Sequence, residues 1–475
     1  MLWFRQYYLG CLSHASYLVG DTSTGRAVVV DPQRDIAQYL GDADANGLRI
    51  ERVIETHFHA DFLSGHLELA EATGAVISYG EAAAGRAEYA IDTLTHGERI
   101  SLGEVELEVR ATPGHTPESI SIVVWERAGD AVPYAVLTGD TLFIGDVGRP
   151  DLMASIGITA EELAGELYDS LHEKLLKLPD ETLVYPAHGA GSMCGKNLSK
   201  ETVSTIGVQR KYNYALAPMT KQQFIRMATT DLPEAPDYFS YDAMLNRKER
   251  SALEEALAEE LKPLSVDEVV AMQAGGAQVV DVRDAADYEG AHLRNSLNIG
   301  LAGKYATWAG TMLERTKPIV IVAEPGQEEE AAMRLGRIGL DLVAGYLAGG
   351  LEALEKRPDL IARTERITAA TLAEHLASST PPLVLDVRAD KERESGKIEG
   401  SIHIPVNHLR DRSAEVPIDR TVVVHCAGGY RSAIACSVLE QAGRTNIVDL
   451  VGGYAAWSAI GSACGTAKAG ACAMK

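Results

Sequence analysis

An internal repeat constrains this chain more than any other feature. Val280-Asp281-Val282-Arg283 matches Leu385-Asp386-Val387-Arg388, and Asn295-Ser296-Leu297-Asn298-Ile299 matches Gly400-Ser401-Ile402-His403-Ile404, both at an offset of 105 residues. Further on, the apolar run 319–322 matches 422–425 and Gly349-Gly350 matches Gly452-Gly453, at an offset of 103. One loop therefore differs in length by two residues. A stretch that recurs in this way is a domain folded twice. In each copy strands alternate with helical patterns over roughly 95–100 residues, as in a parallel α/β domain.

At 475 residues the chain is too long for one core, and about three domains are expected. The repeat supplies two, residues 263–358 and 365–461, with Pro358 and residues 363–366 in the seam. Residues 1–245 form the other. Between them 246–262, charged and rich in Ala, Glu and Leu, reads as a helical linker that Pro263 stops. The small-residue tail 462–475 is expected to be flexible. Within 1–245, alternating runs at 16–20, 27–31, 52–56, 75–80, 106–111 and 121–125 read as strands, and 35–46, 65–72 and 160–178 as helices. Strands in two runs with helices outside them predict an αββα sandwich. The fold class is thus α/β multidomain, a sandwich followed by two parallel α/β domains.

The formal charge of −23, from 67 acidic against 44 basic residues, repels a phosphate backbone and argues against nucleic acid as a partner. An anionic small substrate then needs a local basic pocket. Six cysteines in a chain of this length make no disulfide framework and suit a reducing compartment. The amino terminus has no apolar stretch of signal-peptide length, and no window approaches a membrane span. A soluble cytoplasmic protein is expected.

Four segments carry metal-ligand chemistry: Thr56-His57-Phe58-His59-Ala60-Asp61, Thr112-Pro113-Gly114-His115-Thr116-Pro117, Leu137-Thr138-Gly139-Asp140 and Tyr185-Pro186-Ala187-His188-Gly189. Each lies at or just after a strand-like run. Ligands delivered from strand ends converge at one edge of a sandwich, where an ion is held rigidly and still reached.

These segments resemble the metallo-β-lactamase superfamily over residues 1 to about 215, with one departure: Phe62 stands where the first motif ends in His. Phenylalanine offers no lone pair, so a second metal position loses a ligand. The resemblance to the superfamily's persulfide dioxygenases implies one Fe(II) per chain held by His57, His115 and Asp140, a two-imidazole, one-carboxylate triad with open positions. His59, Asp61 and His188 then orient ligands, waters or substrate; the alternative makes His59 a ligand. Tyr185 is either a hydroxyl donor to a metal-bound oxygen or a packed strand aromatic. Segments 145–151, 191–197 and 205–207 look like the branch fused to rhodanese domains. Arg149 and Lys196 are candidates for contacts with a carboxylate of a thiol carrier, with surface solvation the other reading of Lys196. The implied reaction oxidises a low-molecular-weight persulfide with O₂ to sulfite and thiol, glutathione persulfide being expected and coenzyme A persulfide a competitor. A dinuclear zinc thioester hydrolase of the glyoxalase II type is the rival enzyme class. His14, His66, His96, His172, His292 and His375 read as solvated or structural, and Cys11 and Cys194 as buried small hydrophobes.

In the last domain an apolar strand runs into Cys426-Ala427-Gly428-Gly429-Tyr430-Arg431-Ser432, after which a helix opens. A cysteine there sits among backbone N–H groups at the positive end of a helix dipole, and Arg431 adds a fixed charge; all three favour thiolate or persulfide. The segment resembles the rhodanese family over residues 365 to about 460, which implies Cys426 as nucleophile, Arg431 as loop cation, and thiosulfate or sulfite as sulfur partners. The middle copy has Ala323 and Glu328 at the corresponding places, so its expected role is spacing, docking or oligomer contact. A homodimer or homotetramer is expected. Cys436 reads as core, while Cys464 and Cys472 lie in the tail.

Overall fold

The structure, a computed structural model, describes residues 1–152, 157–232, 234–236, 238–253, 257 and 261–467. The chain divides into two compact units, Met1–Ala256 with Leu335–Asp341, and Leu257–Arg334 with Leu342–Lys475.

The first unit is built on two six-stranded sheets. One takes strands Leu2–Leu9, His14–Asp21, Arg26–Val30, Arg49–Ile54, Val76–Gly80 and Asp92–Leu94 in chain order; the other takes Arg99–Ser101, Glu106–Ala111, Ile120–Trp125, Ala135–Gly139, Leu183–Pro186 and Ser204–Thr205. Alternation decides which way each side chain faces. Val28 and Val30 enter the core between the sheets, where Leu107, Val109, Ile122 and Val124 meet them, while Ala27 and Val29 pack outward on Tyr39 and Leu69 of the helices Ala37–Ala45 and His66–Thr73. Both faces of the sheet are covered, which is why residues 27–30 of this strand are all apolar. On the far side Val123 and Val136 meet Leu167 of helix Ala160–Asp169. The sequence predicts that helix as far as residue 178; it widens instead into a π-helical stretch, Ser170–Leu175, where Ser170 Oγ donates to the Pro113 carbonyl at 2.8 Å.

Residues 335–341 fall inside the middle copy by sequence, yet belong to the first unit. One tie is electrostatic. Arg34 is fully buried, and a buried guanidinium needs every donor answered. Glu68 and Asp341 accept from it at 2.7 and 2.8 Å, as do the carbonyls of Gly336 and Ser251.

The second unit holds two five-stranded parallel sheets with the same strand order. The middle copy runs Pro263–Leu264, Val343–Leu347, Ile319–Val322, Gln278–Asp281, Leu297–Asn298; the last copy runs Glu365–Ile367, Ile447–Leu450, Val422–His425, Leu383–Asp386, Ile402–His403. The α/β reading of both copies stands. The helix Tyr238–Leu245 ends just before the expected helical linker, and residues 254–256 and 258–260 of that linker lie outside the described residues. The closing helix Gly453–Ala467 continues into the expected tail. Cys472 lies outside the described residues. No helix among the described residues is long and apolar enough to cross a membrane.

Candidate functional site

Three strand ends of the first unit deliver the cluster. His57 follows strand Arg49–Ile54, Asp140 follows Ala135–Gly139, and His115 sits in the loop after Glu106–Ala111. All three are 1% exposed. Their ligand atoms lie within 4.8 Å of one another.

Hydrogen bonds around them fix each tautomer. Thr56 Oγ1 donates its one proton to Asp31 Oδ2 at 2.9 Å, so at 3.0 Å it accepts from His57 Nδ1. His115 Nδ1 donates to the Arg149 carbonyl at 2.8 Å, since a carbonyl can only accept. In both rings the proton is on Nδ1 and the Nε2 lone pair is free to face inward. Burial, reinforced by His59, holds the His57 imidazole well below its ordinary value, and burial likewise lowers His115. Burial opposes ionisation of Asp140, but His188 and then the other histidines hold its carboxyl well below the usual range. Asp140 Oδ2 has no hydrogen-bond partner and lies 3.5 Å from His115 Nε2. Acceptors facing one another without a proton between them repel unless a cation joins them, so the donor set fits a metal ion.

The remaining motif residues surround this triad. His188 donates through Nδ1 to Asp140 Oδ1 at 2.7 Å, and its Nε2 stands 2.9 Å from Asp61 Oδ2. Burial works against protonation of His188, yet Asp140 and Asp61 raise it well above its ordinary value. His59 turns Nε2 to within 3.0 Å of Asp31 Oδ1 and 3.6 Å of Glu55 Oε2. Phe62 packs its ring 4.0 Å from His14 and 4.5 Å from His59, a hydrocarbon wall at that corner. His59, Asp61 and His188 still form a second group of close ligand atoms, as do Asp140, His188 and Cys194. Cys194 is buried as expected, but beside ligand groups rather than in an apolar core, and burial pushes its thiol well up.

Three expectations meet a different geometry. Tyr185 is the packed aromatic: Leu183 and Tyr185 share the strand face that enters the inter-sheet core, and the Tyr185 ring lies 4.9 Å from Phe4. Burial and Tyr134 push its hydroxyl up to about 12. The Arg149 fork is engaged by Asp151 at 2.7 and 2.8 Å, and what it gives the cluster is its backbone carbonyl. Lys196 directs its ammonium to the carbonyls of Met227 and Thr230. The sequence reading missed Thr56 and Asp31; the only signal was a strand ending in Asp31 and a Thr preceding the first motif His.

In the second unit Cys426 directly follows strand Val422–His425, 1% exposed. The Gly429 N–H donates to its Sγ at 3.1 Å, and Ser432 Oγ lies 3.7 Å away. Gly429 has φ 120°, a backbone region that L side chains rarely adopt, and this lets the loop curl around sulfur. Arg431 is held bidentately by Glu392 at 2.6 and 2.7 Å and interacts with Cys426. In the middle copy Ala323 is buried at the end of its own strand, with Glu328 opening the next helix.

Comparison with known proteins assigns a family to each of the two regions. The model of the metallo-beta-lactamase superfamily matches residues 9–188, and that of the rhodanese-like domain matches 265–357 and 368–460. The persulfide dioxygenase ETHE1, mitochondrial, of Bos taurus is 32% identical over 224 residues, 46% of this chain and 78% of that protein; the Homo sapiens protein of the same name is 32% identical over 227 residues with the same coverage. A hydroxyacylglutathione hydrolase of Polaromonas sp. is 29% identical over 247 residues, 47% of this chain and 89% of that one. Among solved structures, a metallo-beta-lactamase from Staphylococcus aureus subsp. aureus COL covers 73% of this chain and 98% of its own at 32% identity, with TM-score 0.66. The chain belongs to the metallo-β-lactamase superfamily, and within it to the persulfide dioxygenase family. It carries two rhodanese-like domains behind the metal-binding one.

Proposed function

We propose that this chain oxidises a low-molecular-weight persulfide with O₂, giving sulfite and thiol, and transfers sulfane sulfur at Cys426. The observation that carries the first half is the tautomer pattern: Thr56 and the Arg149 carbonyl hold the Nδ1 protons of His57 and His115, leaving two Nε2 lone pairs and the unpartnered Asp140 Oδ2 converging. One Fe(II) bound by these three would supply redox chemistry and adjacent open positions for sulfur and O₂. The chain's own residues set the conditions. Asp61 helps keep His188 protonated, His188 holds Asp140 ionised and oriented, Phe62 denies a ligand to a second metal, and His59 is drawn toward Asp31 and Glu55. Glutathione persulfide is the substrate of choice because the relatives include persulfide dioxygenases and a hydrolase named for a glutathione thioester.

For the second half, the Cys426 thiolate attacks the outer sulfur of thiosulfate. The S–S bond breaks, its electron pair leaves on sulfite, and Cys426 is left as a persulfide that a thiol can take. The Gly429 N–H and the Arg431 charge stabilise sulfur anions in both states.

The test is metal content and oxygen uptake together. The purified chain should hold about one iron and consume O₂ with glutathione persulfide. His115→Ala should empty the site and abolish uptake. Two zincs per chain with thioester hydrolysis would instead establish the glyoxalase II type of enzyme, for which the close grouping of His59, Asp61 and His188 is the observation in favour.

A further inference from the structure

The middle copy lacks a nucleophile, yet it grips the helix that follows the Cys426 loop. Helix Tyr430–Gln441 presents positions 430, 437, 440 and 441, spaced for one face, to the middle copy's segment 292–303. Tyr430 Oη donates to the Gly300 carbonyl at 2.7 Å, and Ser437 Oγ accepts from Asn298 N at 3.2 Å. Glu440 accepts from His292 Nε2 at 2.8 Å and Asn295 N at 3.0 Å, and Gln441 donates to the Asn295 carbonyl at 3.0 Å.

Tyr430 is itself a member of the loop. It follows Gly429, whose N–H points at sulfur, and precedes Arg431. Its ring lies against Gly303 so closely that a Cβ there would stand 2.2 Å from Cε2 and 2.5 Å from Cζ. Gly303 has no left-handed φ that would demand glycine, so the ring alone demands it. Gly300 stands where the last copy has Pro405. These glycines are a seat for Tyr430.

We infer that the middle copy is a positioning element of the transfer site: Gly300 and Gly303 seat Tyr430, and Tyr430 in turn fixes the Gly429 N–H and Arg431 around the Cys426 sulfur. The inference rests on the reading of Cys426 as the transferring thiol. It assigns the catalytically empty copy a task that spacing alone would not require.

A double-mutant cycle on the full chain tests it, with thiosulfate as donor and cyanide as acceptor. Gly303→Ala should lower the transfer rate about tenfold, in kcat more than in KM for thiosulfate, because displacing a reacting group by a fraction of an ångström is costly. Tyr430→Phe, which loses only the bond to Gly300, should cost a few-fold. In a Tyr430→Ala background the added methyl meets no ring, so Gly303→Ala should cost almost nothing further. Oxygen uptake should match the unaltered chain throughout. If Gly303→Ala fails to fold alone, the Tyr430→Ala background removes the clash and Tyr430→Phe still reads the contact. Equal losses from Gly303→Ala in both backgrounds, or no loss in either, would overturn the inference while leaving Cys426 in place. Absence of transfer by the unaltered chain would instead remove the Cys426 reading and this inference with it.

Discussion

The two copies of the repeat share a scaffold and differ in the loop proposed to carry sulfur transfer. In the middle copy Arg283 donates to Asp281 at 2.9 and 2.6 Å and to the Ala291 carbonyl at 2.9 Å; in the last, Arg388 donates to Asp386 at 2.9 and 2.7 Å and to the Gly396 carbonyl at 2.7 Å. Ala291 and Gly396 are themselves equivalent at the repeat offset. The Asp-x-Arg segment, the most visible mark of the repeat, therefore belongs to the fold. The proposed transfer site resides in the loop, where Cys426 is matched by Ala323 and Arg431 by Glu328. Likeness of scaffold says nothing about turnover, and the difference in a short loop says most of it.

The largest effect should come from the nucleophile. Cys426→Ser should reduce thiosulfate-to-cyanide transfer by at least about 10³-fold, as loss of a nucleophile does, with oxygen uptake on supplied persulfide unchanged. Installing Ala323→Cys in that background should restore nothing, because Glu328 places an acid where the loop needs a cation. Transfer regained through the installed thiol would break the comparison, showing that the middle loop lacks only its sulfur.

Charge at the loop should matter less than sulfur. Arg431→Gln should lower kcat/KM for thiosulfate by about 10–100-fold, the loss of one positioned charge from an anionic site. Arg431→Glu, which gives the last copy its neighbour's residue, should cost more. Glu392→Gln frees the guanidinium that Glu392 now holds at 2.6 and 2.7 Å, and a few-fold loss is expected. An Arg431→Gln rate equal to the unaltered chain would leave the backbone donors as the whole of the anion site.

Which of these features can be read beforehand depends on how far apart their parts lie in the chain. The repeat, both parallel domains and the sandwich are legible because alternation and punctuation are local. His57, His115 and Asp140 are legible because each follows a strand in a short motif, and the strand ends of the two sheets converge at one edge of the sandwich. The Thr56–Asp31 bond is not, since it joins residues 25 apart through a hydroxyl that also suits a turn. Charge alone marks Arg149 and Lys196, and only tertiary structure shows that Asp151 and two carbonyls claim them. Tyr185 can be placed on a strand but not on a face, because a strand residue beside a motif is equally close to core and site. Gly303 gives no signal at all; its reason is the ring of Tyr430, far away in sequence.

The smallest expected difference between the copies lies in their shared ion pair, and acid should reveal it. Burial raises Asp281 above its usual range and outweighs Arg283, its partner. At Asp386 burial also opposes ionisation, but the Arg388 bonds and His425 win, and its carboxyl is held below that range; Arg393 adds a contact at 3.1 Å. The middle copy has Tyr288 and Val322 in place of Arg393 and His425. Linkage then gives opposite signs. The depressed Asp386 contributes stability above the ordinary carboxylate range that is lost as pH falls through its folded value. The raised Asp281 binds its proton earlier when folded than when unfolded, so the folded state gains as pH falls from above its folded value to the ordinary range. Melting followed from about pH 7 to about pH 3 should therefore show the penalty of Asp386→Asn shrinking in acid and that of Asp281→Asn growing. Each movement should be a few degrees, the scale on which one ionisation shifts the melting of a domain of this length. Penalties that move together would mean that Arg393 and His425 do not distinguish the two carboxylates, and the shared ion pair would then count among the features the copies have in common.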